Sequence, residues 1–238
     1  MFYKKYLKYK IKYLNFKNQT GGEITEETQL NIISDSISNA NEILRYSNET
    51  WNIGKPFLFI SLGASPAYTF TVLDTLLKKI ASPHSIIEIP LSTLSCLYSN
   101  EKWTPKPDKI QKFAEYILPL IGHYKDSHTF IIIDHCHTCE SINGFITLLE
   151  TINISTPCNY INLIDTKTPI SYIHRPIKIH NYKMIINKTI NDIAGHKIPR
   201  AVPKYSFFDD LGKSIDFTTI SQDAIMLRLR IKKTVEES

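Results

Sequence analysis

The stretch from Thr129 to Ser141, TFIIIDHCHTCES, decides the fold of this chain. Its first half is a continuous apolar run that ends in an acid, which is typical of a strand buried on both faces of a sheet. Its second half is a short polar loop that leads into a predicted helix over 141–151. A buried strand that turns directly into a helix is the repeating unit of α/β proteins.

The same unit occurs earlier in the chain, where FLFISL at 57–62 is followed by GASP and by an apolar-periodic helix over 67–80. Ser65 is suited to cap that helix and Pro66 to open it. The remaining predicted elements are strands over 85–90, 160–165 and 182–186, and helices over 108–118 and 216–231. This order predicts a three-layer α/β fold, with a mainly parallel sheet and helices on both faces.

The chain divides into three parts. Residues 1–22 form a basic amphipathic segment, 23–50 a helical lead-in of one or two helices opened by Glu23 or Thr25, and 51–238 the α/β domain. Two stretches inside the domain have no clear periodicity. They are 91–107, predicted to be a long loop, and 201–212, predicted to be an ordered loop.

Composition excludes several classes of protein. The chain has 238 residues, of which 42% are hydrophobic, so it can bury a full core and is not globally disordered. No run reaches ~18 consecutive apolar residues, so we expect no transmembrane helix. The N-terminus lacks the apolar stretch of a secretory signal, and four cysteines are too few for a disulfide scaffold. We therefore expect an intracellular, non-secreted protein.

The positive charge is concentrated at one end. The net charge is +5, from 28 basic and 23 acidic residues, but residues 1–20 hold six lysines and no acid. The rest of the chain is close to neutral. The composition therefore predicts no broad basic face of the kind that binds nucleic acid.

The N-terminal segment has apolar residues at helical spacing, namely Tyr3, Leu7, Ile11 and Leu14, with lysines between them. Three interpretations stay open: a tail that is solvated or docked on its own domain, an address or partner-binding helix, and a segment that binds membrane or nucleic acid. The run KYLKYKIKYLNFKNQTGG resembles the N-terminal segment of many proteins of giant DNA viruses of the mimivirus type. That resemblance implies a viral origin, in host cytoplasm or virion, and allows a non-enzymatic virion or host-interaction protein. Gly21-Gly22-Glu23 also resembles sites cut by viral maturation proteases, but a glycine helix cap is the preferred interpretation of these residues.

Two strand-to-helix turns carry the candidate ligand site, because ligands of open parallel sheets bind at the carboxyl ends of the strands. The first turn contains Gly63, Ala64 and Ser65, and the amides that open the next helix suit an anion. The second begins with Asp134, which would meet ribose hydroxyls or Mg²⁺. Its loop amides and hydroxyls would then hold a phosphate.

These two turns resemble those of type I phosphoribosyltransferases, whose signature is a hydrophobic strand, one or two acids, and a loop ending in Thr-Gly-x-Thr/Ser. The matching residues are Ile131-Ile132-Ile133, Asp134 and Thr138-Cys139-Glu140-Ser141, and the resemblance covers roughly 55–165. It implies that Asp134 is the catalytic residue and that residues 63–65 form the loop facing pyrophosphate. The implied phosphate-binding residues are Thr138, Cys139, Glu140 and Ser141. The implied ligand is a phosphorylated ribose or nucleotide, with Mg²⁺ as the accompanying cation.

Three residues depart from that pattern. His135 stands where a second acid is common, Cys139 replaces the glycine that approaches the phosphate, and Ala64 stands where related loops often carry a basic residue. The loop is also one residue shorter than usual. Each change weakens phosphate or metal binding, so the resemblance indicates the fold more strongly than the activity.

The same loop supports two other hypotheses. Cys136-x-x-Cys139 lies between a strand and a helix, as in thioredoxin-like redox proteins, and a helix N-terminus favours the thiolate. His135, Cys136, His137 and Cys139 could instead bind zinc together with Cys158 or a distant histidine. Adjacent residues cannot all turn toward one ion, so no protein-held metal site is predicted.

Overall fold

The computed structural model describes residues 25–51, 54–63, 65–92, 107–136, 139–166, 179, 181–190, 205–206 and 222–238. Several predictions lie outside these residues. They are the ones made for 1–22, for Ala64, His137 and Thr138, and for most of the loops 91–107 and 201–212.

A five-stranded parallel sheet forms the centre of the described structure. Its strands are β1 (Phe57–Leu62), β2 (Ser85–Ile89), β4 (Thr129–Asp134), β5 (Cys158–Ile164) and β6 (Tyr182–Ile186). They are arranged in the order β2-β1-β4-β5-β6, and every neighbouring pair is parallel. A separate two-residue parallel ladder joins β3 (Leu91–Ser92) to β7 (Tyr205–Ser206).

Helices cover both faces of this sheet. They are α1 (Glu26–Tyr46), α2 (Ala67–Lys79), α3 (Pro107–Ile121), α4 (Glu140–Thr151) and α5 (Gln222–Glu237). Side chains of α1, α2 and α5 form one apolar core with alternate strand residues such as Phe59 and Ile133. Side chains of α3 and α4 form a second core with the intervening residues, such as Ile60 and Ile132. The predicted three-layer α/β fold is confirmed.

The central strands are buried along their whole length. All six residues of β1 and all six of β4 are buried, because each strand has helices on both faces. Each fully buried Leu, Ile or Phe contributes about 1.5–3 kcal/mol of transfer free energy. The two apolar runs that predicted these strands therefore also contribute to the stability of the sheet.

The described part of the lead-in, from residue 25 onward, contains one long α-helix, α1, which packs on the domain. Thr25 caps α1 by accepting a hydrogen bond from the Thr28 amide at 3.2 Å. Ile32, Ala40 and Ile43 lie in the core shared with α2 and α5. The helix then continues into a π-helical turn, Ser47–Trp51.

Some predicted boundaries were wrong. α2 begins at Ala67 with Pro66 as its N-cap, so Ser65 does not have the capping position. α3 starts at Pro107 and runs to Ile121, through Pro119, because a missing amide in the last turn removes only one hydrogen bond. α5 continues to Glu237, since Val235 still contributes to the core. None of the helices in the described part of the chain is long and apolar enough to cross a membrane.

Candidate functional site

The strand order creates a crevice between β1 and β4. β2 lies on one side of β1, whereas β4, β5 and β6 follow on the other, so the direction of winding reverses between β1 and β4. The helix that follows β1 packs on one face of the sheet, and the helix that follows β4 packs on the other. In open parallel sheets, ligands bind outside the carboxyl ends of the strands at such a reversal point.

Gly63 and Asp134 meet at this crevice. Gly63 has a φ of +81°, a conformation that favours glycine, and its amide donates to the Ile89 carbonyl of β2 at 2.9 Å. A Cβ atom at this position would lie 3.7 Å from Asp134 Oδ1 and 3.7 Å from the Leu91 carbonyl oxygen. The two turns that the sequence singled out are therefore neighbours.

Asp134 ends β4 with a nearly buried side chain that is only 8% exposed. Its Oδ1 accepts a hydrogen bond from the His135 amide at 2.7 Å. The carboxylate is thus held in one orientation by the backbone of its own turn. His135 turns away toward β5, where its Nδ1 donates to the Leu163 carbonyl at 2.8 Å.

Asn162 of β5 holds the loop that follows Asp134. Its Oδ1 accepts from the Cys136 amide at 3.0 Å, and its Nδ2 donates to the Cys136 carbonyl at 2.7 Å. The same Nδ2 donates to the Tyr182 hydroxyl at 3.2 Å. Because Asn162 is fully buried and is paired in register with Asp134, these bonds fix residues 135 and 136 against the sheet.

The two cysteines lie together at the start of α4. Cys139 is the N-cap residue, has the left-handed backbone conformation (φ 58°, ψ 13°) and makes no side-chain capping bond. Its amide donates to Cys136 Sγ at 2.8 Å. Cys139 is fully buried and Cys136 is half-buried. An amide directed at a sulfur stabilises a thiolate more than a thiol, because the negative charge strengthens the hydrogen bond.

Tyr160 carries a buried hydroxyl beneath this loop. The side chain is fully buried, and within the described ranges its hydroxyl has no hydrogen-bond partner. Burial raises the pKa of Tyr160 well above its usual range, and Asp134, Cys136, Cys139 and Tyr182 raise it further. The phenol therefore stays protonated and is a hydrogen-bond donor at every physiological pH.

The predicted site residues are partly brought together. Gly63, Asp134, Cys136 and Cys139 cluster at the carboxyl end of the sheet. Ser141 is half-buried in the first turn of α4, which begins at residue 140, and Ser65 is half-buried in the turn before α2. Ala64 and Thr138 lie outside the described residues.

Cys158 is too far from the Cys136 loop to complete a zinc site there, which removes one of the two completions that the sequence left open. Cys158 opens β5, four residues before Asn162, and therefore lies about 13 Å along the strand from the Cys136 loop. Among the residues that the structure describes, no group of three His, Cys, Asp or Glu side chains could hold a metal ion.

Three residues of this region were not predicted from the sequence: Tyr160, Asn162 and Tyr182. A signal was available for one of them, because Asn162 interrupts the otherwise apolar run YINLI. A polar side chain in the middle of a buried strand requires a hydrogen-bond partner. The partner, however, belongs to another strand's loop and cannot be identified from local sequence.

The described structure is that of a parallel α/β protein with a crevice at the reversal point of its sheet. No protein-family model and no curated protein sequence matches the chain.

Proposed function

We propose that this protein binds a phosphorylated ribose or nucleotide in the crevice between β1 and β4. The observation that carries the proposal is the close approach of the Gly63 turn to the Asp134 carboxylate, 3.7 Å from a Cβ at Gly63. A ligand at this place would contact both turns at once. The proposal concerns binding only. A transferase reaction is a separate hypothesis, to be tested after binding has been measured.

Asp134 is suited to the sugar part of such a ligand. An ionised carboxylate accepts hydrogen bonds only, and ribose supplies two adjacent hydroxyl donors. The His135 amide already orients the carboxylate, so binding requires little further ordering of this side chain. Gly63 leaves room beside Asp134, because it has no side chain to occupy the crevice.

The first turn of α4 is suited to the phosphate. A helix N-terminus presents free amides and a partial positive charge, which favour an anion. Ser141 adds a half-buried hydroxyl in this turn. The Cys139 amide, which faces Cys136 Sγ, would become available to the ligand if the thiol turned aside.

Mg²⁺ would bind at this site only together with a phosphorylated ligand. Mg²⁺ is commonly held by one or two carboxylates together with substrate phosphates. Asp134 would supply the carboxylate, and the phosphates would complete the coordination. The ion would neutralise charge between the phosphates and Asp134.

The test is calorimetric titration of the full chain with phosphoribosyl pyrophosphate, ribose 5-phosphate and adenosine monophosphate, each with and without Mg²⁺. We expect at least one ligand to bind with a Kd below about 100 µM, equivalent to roughly 5.5 kcal/mol. Asp134→Asn should weaken that binding at least tenfold, because the amide also donates and no longer carries the charge.

The matched control is Asp165→Asn, which changes an equally buried acid that directly follows the neighbouring strand β5. This variant should bind as the wild type does. Absence of heat with all three ligands, or equal weakening by both substitutions, would exclude the β1–β4 crevice as their site.

A second candidate function is thiol–disulfide chemistry at Cys136 and Cys139, favoured by the amide of Cys139 that donates to Cys136 Sγ. Oxidised glutathione would be the oxidant. The Cys136 thiolate attacks one glutathione sulfur and releases the other half as a thiolate. The deprotonated Cys139 thiol then attacks the Cys136 sulfur and releases the second glutathione.

Titration in glutathione buffers, followed by mass spectrometry of alkylated peptides, tests this candidate. A reversible loss of two alkylatable thiols, at Cys136 and Cys139 together, would support it. If only mixed disulfides with glutathione form, the two cysteines do not act as a redox pair. Cys136→Ser is the matched variant, since it should leave Cys139 unable to form the internal disulfide.

A further inference from the structure

An open groove of about 750 Å³ lies between the first turn of α1 and the outer side of α5. Thr25 and Gln29 line it from α1, and Met226 and Leu229 line it from α5. Arg230 joins the two helices by donating to Glu26 Oε2 at 2.8 Å and to Gln29 Oε1 at 2.9 Å. The groove lies on the face of the sheet that α1, α2 and α5 cover, opposite to the face covered by α4.

α5 is apolar on two opposite sides. Its inner side, with Leu227 and Ile231, packs into the core of the domain. Its outer side carries Ile225, Met226 and Leu229, which are 39%, 55% and 53% exposed. A helix with one buried face normally has a polar opposite face. The outer strip formed by these three residues is therefore suited to a second apolar surface.

The sequence that precedes Thr25 contains a second apolar pattern. Thr25 lines the groove and is preceded by 24 residues. Within them, Tyr3, Leu7, Ile11 and Leu14 recur at helical spacing. A fully extended connection over 18–24 spans at most about 25 Å, which is close to the length of a 16-residue helix such as α5.

A short tether makes this binding intramolecular. Linking two surfaces by a few residues gives an effective concentration in the millimolar range, so even a weak apolar contact is occupied. The rim carries both signs of charge, with Glu26 and Asp223 facing Arg230 and Lys233. Apolar contact, and not charge, would therefore select the segment.

We propose that residues 2–17 dock in this groove of their own chain, with their apolar side chains against Met226 and Leu229. The proposal is independent of the ligand site. It identifies the α5 strip as the receptor for the basic N-terminal segment and makes the availability of that segment to any other partner depend on release from α5.

Limited trypsin digestion of the full chain tests the proposal, because the segment contains six lysines. Cleavage at these lysines should be slower than in a synthetic peptide of residues 1–24. The double substitution Met226→Ser and Leu229→Ser should speed cleavage of the full chain about tenfold, because proteolysis follows the population of the open form. The control is Leu118→Ser, which changes a 43% exposed leucine of α3 on the other face of the sheet. It should leave the rate unchanged.

A reciprocal pair tests the segment side. Leu7→Ser should speed cleavage as the α5 variant does, and Asn15→Ser should not. Cleavage of the wild type at the rate of the peptide, or no change on altering Met226 and Leu229, would overturn the proposal. Protection that increases with protein concentration would also overturn it, since the groove would then hold the segment of a second copy.

Discussion

The two strand-to-helix turns at the crevice share a left-handed backbone conformation at one residue but stabilise it differently. Each contains a residue with positive φ, Gly63 at 81° in the first turn and Cys139 at 58° in the second. Glycine adopts this conformation freely, whereas a residue with a Cβ atom does so at a cost of about 1 kcal/mol. The first turn is therefore built by its backbone, and the second is held by the side chains of Asn162 and Cys136.

This difference makes the second turn the more costly of the two in conformational free energy. A cysteine in a left-handed conformation gives up stability that a glycine would recover, and such residues concentrate at functional sites. The Gly63 turn supplies space and fixed amides. The Cys139 turn supplies reactive or titratable groups that the surrounding hydrogen bonds keep in place.

The largest expected loss of stability comes from a substitution that disturbs only the second turn, the one that contains Cys139. Asn162→Leu removes both hydrogen bonds to the Cys136 backbone and leaves those two groups unpaired in a partly buried place. We expect a loss of about 2–3 kcal/mol in the free energy of unfolding, measured by urea denaturation. The control is Asn159→Leu, at the other end of β5, which loses one side-chain bond to Asn181. If both variants lose the same amount, Asn162 has no special role in holding the turn.

A smaller effect tests the first turn. Gly63→Ala should cost about 1 kcal/mol, because alanine is strained at φ +81° although its Cβ would meet no atom closer than 3.7 Å. Gly54 is a matched control with the same φ and with nothing within 4 Å of an added Cβ. Both alanine variants should lose similar stability in urea. Only Gly63→Ala should also weaken binding of a phosphorylated ribose, and equal ligand affinity in the two variants would separate Gly63 from the site.

A third prediction concerns position 139, where we expect the usual order of stability between alanine and glycine to be reversed. At Cys139 we expect glycine to be more stable than alanine by about 0.5–1 kcal/mol, although alanine fills more of the buried space. Both variants lose the sulfur, but only Cys139→Gly relieves the left-handed strain, which Cys139→Ala keeps. Thermal unfolding of the two variants measures the difference. Alanine as the more stable variant would mean that the positive φ is not strained.

The last prediction concerns the reactivity of individual thiols and involves the smallest change in stability. Burial, together with the nearby charge of Glu150, raises the pKa of the Cys158 thiol to about 12, so roughly one part in ten thousand of this thiol is thiolate at pH 8. Its alkylation should increase about tenfold for each pH unit. Cys136, half-buried and facing the Cys139 amide, should react with iodoacetamide much faster at pH 7–8. Equal rates at the two cysteines would show that the second turn does not activate its thiol.

The layers of this protein could be predicted because they depend on local patterns. Apolar runs such as FLFISL and TFIIID mark strands that have helices on both faces, and the periodic segments between them mark the helices. The strand-to-helix turns could be predicted for the same reason, since ligands of parallel sheets gather at the carboxyl ends.

The remaining features depend on residues that are far apart in the chain. The bonds of Asn162 to the Cys136 loop span 26 residues, and the ladder of Leu91 with Tyr205 joins two stretches without periodicity. The left-handed conformation of Cys139 could not be predicted from the sequence either, because cysteine has no preference for this conformation. Tertiary contacts impose these features, and a sequence pattern carries no signal for them.

The position of α5 has a consequence for synthesis. This helix is synthesised after the other described helices and strands, yet Leu227, Ile231 and Val235 complete the core to which α1 and α2 contribute. At 5–20 residues per second, translation of 238 residues takes about 10–50 s. During that time the face of the sheet under α1 and α2 lacks its final cover, whereas the face under α3 and α4 can close earlier. The nascent chain therefore exposes one apolar face until α5 has been synthesised, and that face is the surface on which a chaperone would act.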